Sequence, residues 1–484
     1  MQEDSLVSEQ LPQIVFDEGD VDRQLAWHQN RLQSNVQSHQ RRACLELAKL
    51  HQSSIFNLSS IRLVGAKHTQ SDFLASLFKP IFGDGKPRTF SEILKSSDQL
   101  YDRLAKLGIF SHLQISLDAK QGDPKHIEAL IKVVERGRFF LKTSTDVGNG
   151  EGALTGLARA RNIWGRAEVL EASVGLGSRT KASCQVKAEA PICSARARCE
   201  LSGHACERDL SAFASCQEKV KGVLAKLKTE TGYGFHELSY ELATRSIGNL
   251  LPGASESIRA TAAAGPTFKS AIAHSWTRDT RDHSAFPTQG SSLQLVQEYA
   301  GLGGDASYLK SIIESAIFRP VFGSQIIASL GFRAGLMHPL NGRPIVFNDK
   351  FQLGGPTNVR MFQQNSLGPK DGNDYLGGEM YWASGFSILS PIPGQSEWPL
   401  KLHAFINAGR LANEWDKLKS SKPSVGVGIG MVGKIQDIRV EANLGMPLCA
   451  SEGDGTRKVN FRLKGQKFGY MRCGSWTIKR SYIN

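Results

Sequence analysis

Few side chains in this sequence are spaced to do covalent or metal chemistry. Five of the eight cysteines, Cys184, Cys193, Cys199, Cys206 and Cys216, cluster, and His204 stands two before Cys206. Their spacings lack the short CxxC pair by which one turn presents two thiolates to zinc, so unpaired thiols on strands and loops are expected. Cys44, Cys449 and Cys473 add no disulfide framework. His236 with Glu237, and Asp279 with Asp282, have the types for acid–base work, but alternating and turn contexts make them solvated rim positions. Gly83-Asp84-Gly85-Lys86 lacks the GxxxxGK[ST] frame of a phosphate loop and reads as a turn. No enzyme activity, metal or cofactor is expected.

What could position other chemistry is a matter of composition and period. The chain has 484 residues, 40% hydrophobic and 22% charged, with a mean hydropathy of −0.27. No run of about 18 apolar residues offers a transmembrane helix, but a membrane barrel needs only about 9–11 residues per strand, every second one apolar. The 48 glycines suit tightly turned β-structure. Fifty-nine Lys and Arg against 46 Asp and Glu give +13, which fits nucleic acid, an anionic membrane surface or a basic lumen. Without a basic helix, zinc-finger spacing or an aromatic RNA-binding strand, nucleic acid is not expected as a partner. Acids crowd the start, from Glu3 to Asp22, with no basic residue before Arg23, so no cleaved secretory or mitochondrial address is expected.

Three zones follow. Residues 1–54 are polar and read as partly helical or disordered. Residues 55–137 read as a small two-layer α/β domain. There Ser71 caps a helix ended by Pro80 and Gly83, Thr89 and Glu92 make a capping box, and Gly108 stops the second helix. Residues 138–484 keep a period near two. Leu170, Ala172, Val174 and Leu176 alternate with Glu171, Ser173 and Gly175, and Leu402 to Ala408 or Ile438 to Leu444 behave alike. Alternating runs of about 8–10 residues, with charges or glycine on the polar face, favour a transmembrane antiparallel β-barrel of about 16 strands. A soluble β-sandwich is the alternative.

Several passages resemble the superfamily of BamA-type outer-membrane barrel assemblers. Leu104-Ala105-Lys106-Leu107-Gly108-Ile109-Phe110 resembles a passage of the POTRA domain, and Arg278-Asp279-Thr280-Arg281-Asp282 with Pro287 and Gly290 resembles a turn at the barrel rim. Val359-Arg360-Met361-Phe362 resembles the V-R-G-F motif of a long inward loop, with Met361 in place of the glycine. Leu141-Lys142-Thr143, Asp146-Val147-Gly148-Asn149 and Phe405 to Leu411 resemble the central barrel subunits of the mitochondrial sorting and assembly machinery. One departure is the end of the chain, where Val459 to Gly465 and a basic, aromatic tail replace the family's Gly-rich final strand.

The resemblance implies one POTRA-like domain facing the intermembrane space and a barrel in the mitochondrial outer membrane. The implied work is insertion of precursor β-barrel proteins by strand templating at a lateral gate. Its first strand would include Phe139, Phe140, Leu141, Lys142, Thr143, Ser144 and Thr145. Arg360 would point into the lumen and pair with an acid, for which Glu379 is the candidate. Precursors, accessory subunits of the assembly complex and membrane lipids are the implied partners. A passive outer-membrane channel or a protein-translocating pore is the competing function.

Overall fold

A computed structural model describes residues 50–82, 86–120, 123–148, 151–193, 195–283, 286–321, 325–394, 398, 400–435 and 438–465. The segment before residue 50, Cys44, Cys473, Gly83 and the tail after Gly465 lie outside the described residues. The chain divides into two compact units.

The first unit is built on a four-stranded sheet: β1 (Ile55–Val64), β2 (Arg88–Thr89), β3 (Phe110–Lys120) and β4 (Asp123–Glu135), in the order β2-β1-β4-β3. Parallel pairing of β1 with β4 is made possible by helices α1 (Ser71–Phe82) and α2 (Phe90–Leu107) in the crossover. Alternation on β4 buries Ile127, Ala129, Ile131 and Val133, while α2 buries Ile93 and Leu100 at helical spacing. The capping box forms reciprocally: Thr89 N–H donates to Glu92 Oε2 at 3.1 Å, and Glu92 N–H to Thr89 Oγ1 at 3.3 Å. Gly108 takes φ +71, as a residue ending a helix should. One expectation fails, because α1 runs through Pro80 to Phe82. Ile81 is 5% exposed and its carbonyl accepts from Arg88 Nη1 at 2.6 Å, so burial and a side-chain donor hold the last turn.

The second unit is one antiparallel sheet of sixteen strands. In order these are β5 (Phe139–Gly148), β6 (Glu151–Arg161), β7 (Val169–Gly177), β8 (Thr180–Ile192), β9 (Ala197–Asp209), β10 (Gln217–Thr231), β11 (Gly234–Gly248) and β12 (Thr267–Asp279). Next come β13 (Gly290–Gly304), β14 (Tyr308–Val321), β15 (Ile326–Pro339), β18 (Met380–Pro391), β19 (Leu400–Ala412), β20 (Ser424–Ile435), β21 (Ile438–Cys449) and β22 (Val459–Gly465). The missing numbers, β16 (Lys370–Asp371) and β17 (Asp374–Tyr375), form a small ribbon inside the 40-residue loop between β15 and β18.

Burial along these strands is inverted relative to a water-soluble protein. Val174, Val186, Leu201, Leu330 and Ile429 are exposed, whereas Glu171, Glu189, Glu200, Glu237 and Arg245 are buried. Apolar residues outward and charges inward are what a barrel wall in lipid requires. The inner charges meet one another across strands: Arg198 lies 2.5 Å from Glu189, Lys228 2.5 Å from Glu200, and Lys226 2.8 Å from Glu237.

The sheet curls strongly, as reach arguments demand. Arg360 in the long loop contacts Glu441 on β21, and Gln364, four residues on, accepts from Arg179 between β7 and β8. Laid flat, eleven strand spacings of about 4.8 Å would hold those walls about 53 Å apart. Four residues span at most about 14 Å. The loop therefore lies inside the curl.

Candidate functional site: the seam and the loop in the lumen

Two features of the barrel can do work on another polypeptide. The first is the seam. β5 pairs with β6 and β22 pairs with β21, from Leu444↔Val459 to Ile438↔Gly465, but no backbone ladder joins β5 to β22 among the described residues. Both strands thus stand at the ends of the sheet among the described residues. The seven expected residues Phe139, Phe140, Leu141, Lys142, Thr143, Ser144 and Thr145 all lie on this edge strand. Phe139 and Leu141 are each 78% exposed.

The second feature is the loop of residues 340–379. Its root is fixed by Asp349 in a short 3-10 turn, Phe347–Asp349. Arg245 of β11 donates to both carboxylate oxygens at 2.5 and 3.0 Å, and Tyr308 of β14 donates at 2.9 Å. Lys310 Nζ donates to the Asp349 carbonyl at 3.1 Å. Burial raises the carboxyl pKa, but the Arg245 hydrogen bonds and charge outweigh it and hold the group below the ordinary range. The far end is fixed by Asp374, which accepts from the backbone N–H and the hydroxyl of Ser215 at 2.7 and 2.6 Å and from the N–H of Ser255 at 2.7 Å. These bonds overcome desolvation and lower its pKa as well.

Between the two anchors lies the expected motif. Val359, Met361 and Phe362 are fully buried, and Val359 and Phe362 join Phe351, Leu353, Leu367 and Leu411 in one apolar cluster. Arg360 points to the wall: Nη1 donates to Asn407 Oδ1 at 3.3 Å, Nη2 lies 3.5 Å from Glu441 Oε2, and the guanidinium sits 5.1 Å from the Phe405 ring. The expected partner Glu379 is corrected, since its carboxylate is instead 3.5 Å from Lys350 Nζ. Glu379 immediately precedes β18, where its backbone is tied to Met337 and Ala412, so its height on the wall is that of the loop root. Glu441 and Asn407 come level with the motif through the stagger of tilted strands, which alternation alone does not encode.

Met361 keeps the left-handed backbone that a glycine would adopt, at φ +70. The wall makes room for it with glycines of its own. A Cβ on Gly426 would lie 2.5 Å from the Arg360 carbonyl, and one on Gly445 would lie 2.9 Å from Met361 Sδ. Glycines on the wall thus permit the close approach.

The rim turn lies between β12 and β13, on the opposite rim from the loop root. Arg281 pairs with Asp279 at 2.6 Å, and Asp282 accepts from the N–H groups of His283 and Thr288, both at 2.9 Å. Gly290, at φ +101, has no room for a Cβ beside the Thr280 carbonyl, while Arg278 is exposed and Pro287 buried. Glu237 faces inward to Lys226 and His236 outward to His274, so they make no acid–base pair. Cys184, Cys193 and Cys199 are exposed and unpaired, Cys206 and Cys216 buried, and no group of three or more metal-ligating side chains occurs among the described residues.

Sequence reasoning missed Asp349, Arg245, Tyr308 and Asp374. Arg245 did carry a signal, a charge on the inward-facing side of an alternating strand, whereas Asp349 and Asp374 lie in irregular loop sequence without a period.

Residues 162–468 match the model of the Omp85 superfamily domain. A SAM50-like protein of Schizosaccharomyces pombe is 34% identical over 422 residues, covering 83% of this chain and 88% of that protein. The human sorting and assembly machinery component 50 homolog is 29% identical over 418 residues, covering 81% of this chain and 86% of its own. Among solved structures, BamA from Haemophilus ducreyi lacking POTRA domains 1–3 superposes with a TM-score of 0.71 at 14% identity, covering 84% of each chain, a likeness of fold. The chain belongs to the Omp85 superfamily and, within it, to the family of sorting and assembly machinery component 50.

Proposed function

We propose that this protein assembles β-barrel precursor proteins and inserts them into the mitochondrial outer membrane by templating strands at the seam between β5 and β22. The observation that carries the reading is an edge strand, Phe139–Gly148, set at an unladdered seam of a wall otherwise fully paired. Unmatched backbone groups in hydrocarbon cost several kcal/mol each. An incoming terminal strand has the same deficit, and pairing with β5 removes both at once. No nucleotide is needed, because each pair broken is replaced by one made. The names of the relatives agree with such a role in a sorting and assembly machinery.

In this scheme the lumen loop steadies the wall while the seam opens. Asp349 and Asp374 hold its ends, and Arg360 with its buried neighbours holds its tip against β19, β20 and β21. A passive channel would not need a long loop with a lumen-directed arginine. Residues 55–137 act as a single POTRA-like domain facing the intermembrane space, receiving precursors before the barrel of residues 138–484 engages them, with accessory subunits and membrane lipids as the other partners. Depletion in the native cell, followed by scoring of newly made mitochondrial porin, tests this function. Loss of porin assembly is expected, and normal assembly with only a change in outer-membrane conductance would overturn it.

A further inference from the structure

The inner face at the start of the wall carries more positive charge than its acids neutralise. On β5 the exposed Phe139 and Leu141 face outward, so Arg138, Phe140 and Lys142 face inward; on β6 the exposed Leu154 puts Arg159 and Arg161 inward. The register joins Phe140 to Arg159, and Arg159 to Glu171 on β7. One step further the Arg161 N–H donates to the Arg138 carbonyl at 2.8 Å, which sets these two arginines directly opposite each other. Like charges so placed destabilise a sheet.

The nearby acids are already engaged. Glu171 is 4% exposed and lies 2.6 Å from Arg159 Nε, while Glu168, in the turn after β6, accepts from the backbone N–H groups of Trp164 and Arg166. Among the described residues neither Arg138 nor Arg161 has an ion pair. Arg161 stands 6.0 Å from the Phe140 ring and close enough to Arg136 and Arg159 to feel both charges. Arg138 Nε is buried without a hydrogen-bond partner.

Strand polarity says what arrives there. β5 and β15 run the same way in the alternating wall, and β15 ends at Pro339, where the long loop begins. Arg138 therefore marks the opposite rim. A strand that takes the place of β22 beside β5 runs against β5, so its C-terminal end comes level with Arg138, one strand spacing of about 4.8 Å away. β22 itself carries Arg462 and Lys464 and no acid, so it brings nothing to neutralise this end.

Resting on the templating reading above, we propose that Arg138 and Arg161 receive a carboxylate at the C-terminal end of the client's final strand, either the chain-terminal group or an Asp or Glu side chain among its last residues. Guanidinium matches carboxylate with two parallel hydrogen bonds, so the contact is directional. It favours a client over β22 at this end of the seam, and it rejects a strand offered in the opposite direction, whose carboxyl end lies at the other rim.

The test adds a peptide of the porin final strand, with a photo-reactive last residue, to isolated mitochondria carrying the full chain. Adducts should map to β5 or β6 and fall by about tenfold with Arg138→Gln/Arg161→Gln. A C-terminal amide and, separately, Asn and Gln in place of the peptide's acids identify the source, since one of them alone should reproduce the loss. Arg138→Glu paired with a peptide ending in lysine should restore the adduct. The purified Arg138→Gln chain should unfold at a midpoint no lower than wild type, because a like-charge opposition has gone. Adducts within about twofold of wild type in the double variant, insensitivity to both peptide changes, adducts of the peptide with lipid only, or a lowered midpoint would overturn the proposal while leaving templating intact. Absence of any wild-type adduct on β5 and β6 would overturn both.

Discussion

Asp349→Asn keeps the side-chain volume at the loop root and removes its charge. In the native site the Arg245 and Asp349 side chains are only 7% and 3% exposed and meet through two hydrogen bonds, with the Tyr308 hydroxyl completing the set. Breaking a buried pair from one side costs about 3–5 kcal/mol, because the remaining charge is stranded. The asparagine retains one acceptor oxygen, which puts the expected loss near the lower end, about 3 kcal/mol, or about 150-fold in the docking equilibrium of the loop. Protease cleavage within residues 340–379 of the purified, reconstituted chain measures that equilibrium, and the denaturant midpoint of the barrel measures its consequence. A double variant, Arg245→Met with Asp349→Leu, removes both charges and should recover at least half of the loss. Cleavage of Asp349→Asn indistinguishable from wild type, or losses in the double variant that simply add, would refute the anchor.

The other expectations concern the motif and the acids. Arg360→Ala should cost about 2–3 kcal/mol of barrel stability, from its ionic contact and its stacking on Phe405. Arg410→Ala, whose partners are the Ser451 hydroxyl and the Lys422 carbonyl, should cost about 1 kcal/mol, and equal unfolding midpoints would contradict this assignment. Met361→Gly relieves a left-handed backbone worth about 1–2 kcal/mol but forfeits about 2–5 kcal/mol of buried contact, so a net loss of about 2 kcal/mol is expected in the same assay. Asp349 and Asp374 have folded-state pKa values below their unfolded ones. Their stabilisation is therefore complete above about pH 4 and is lost as pH falls through the folded values. Loop cleavage should rise below about pH 4 in wild type and less steeply in Asp374→Asn; a flat profile would remove these acids from the account.

The parts of the structure legible from sequence are those with a local code. Alternation at Leu170 to Leu176, or Leu402 to Ala408, fixes which face of each strand meets lipid, because one residue of slip inverts every side chain. Thr89 with Glu92 marks a helix start since both bonds are made within three residues. The edge strand at Phe139 is legible through the resemblance to barrel assemblers and not through its own period, since Phe139, Phe140 and Leu141 are consecutive apolar residues. What is not local was misread or missed. Pro80 was expected to end a helix that Ile81 burial and Arg88 carry past it. Glu379 was expected at Arg360, yet the partner is set by stagger between β18 and β21, a property of all the strands together. Asp349 and Asp374 owe their importance to Arg245, Tyr308 and Ser215, more than a hundred residues away in two of the three cases only because the wall curls back upon the loop.

The most direct measurement joins the two edge strands covalently. With the native cysteines replaced by serine, one cysteine at Thr143 and one within Val459–Gly465 are oxidised in isolated mitochondria, and imported porin precursor is followed to its mature assembly. Arrest of maturation upon oxidation, reversed by reductant, is the predicted result. Full cross-linking with client assembly at the wild-type rate would contradict templating by this wall.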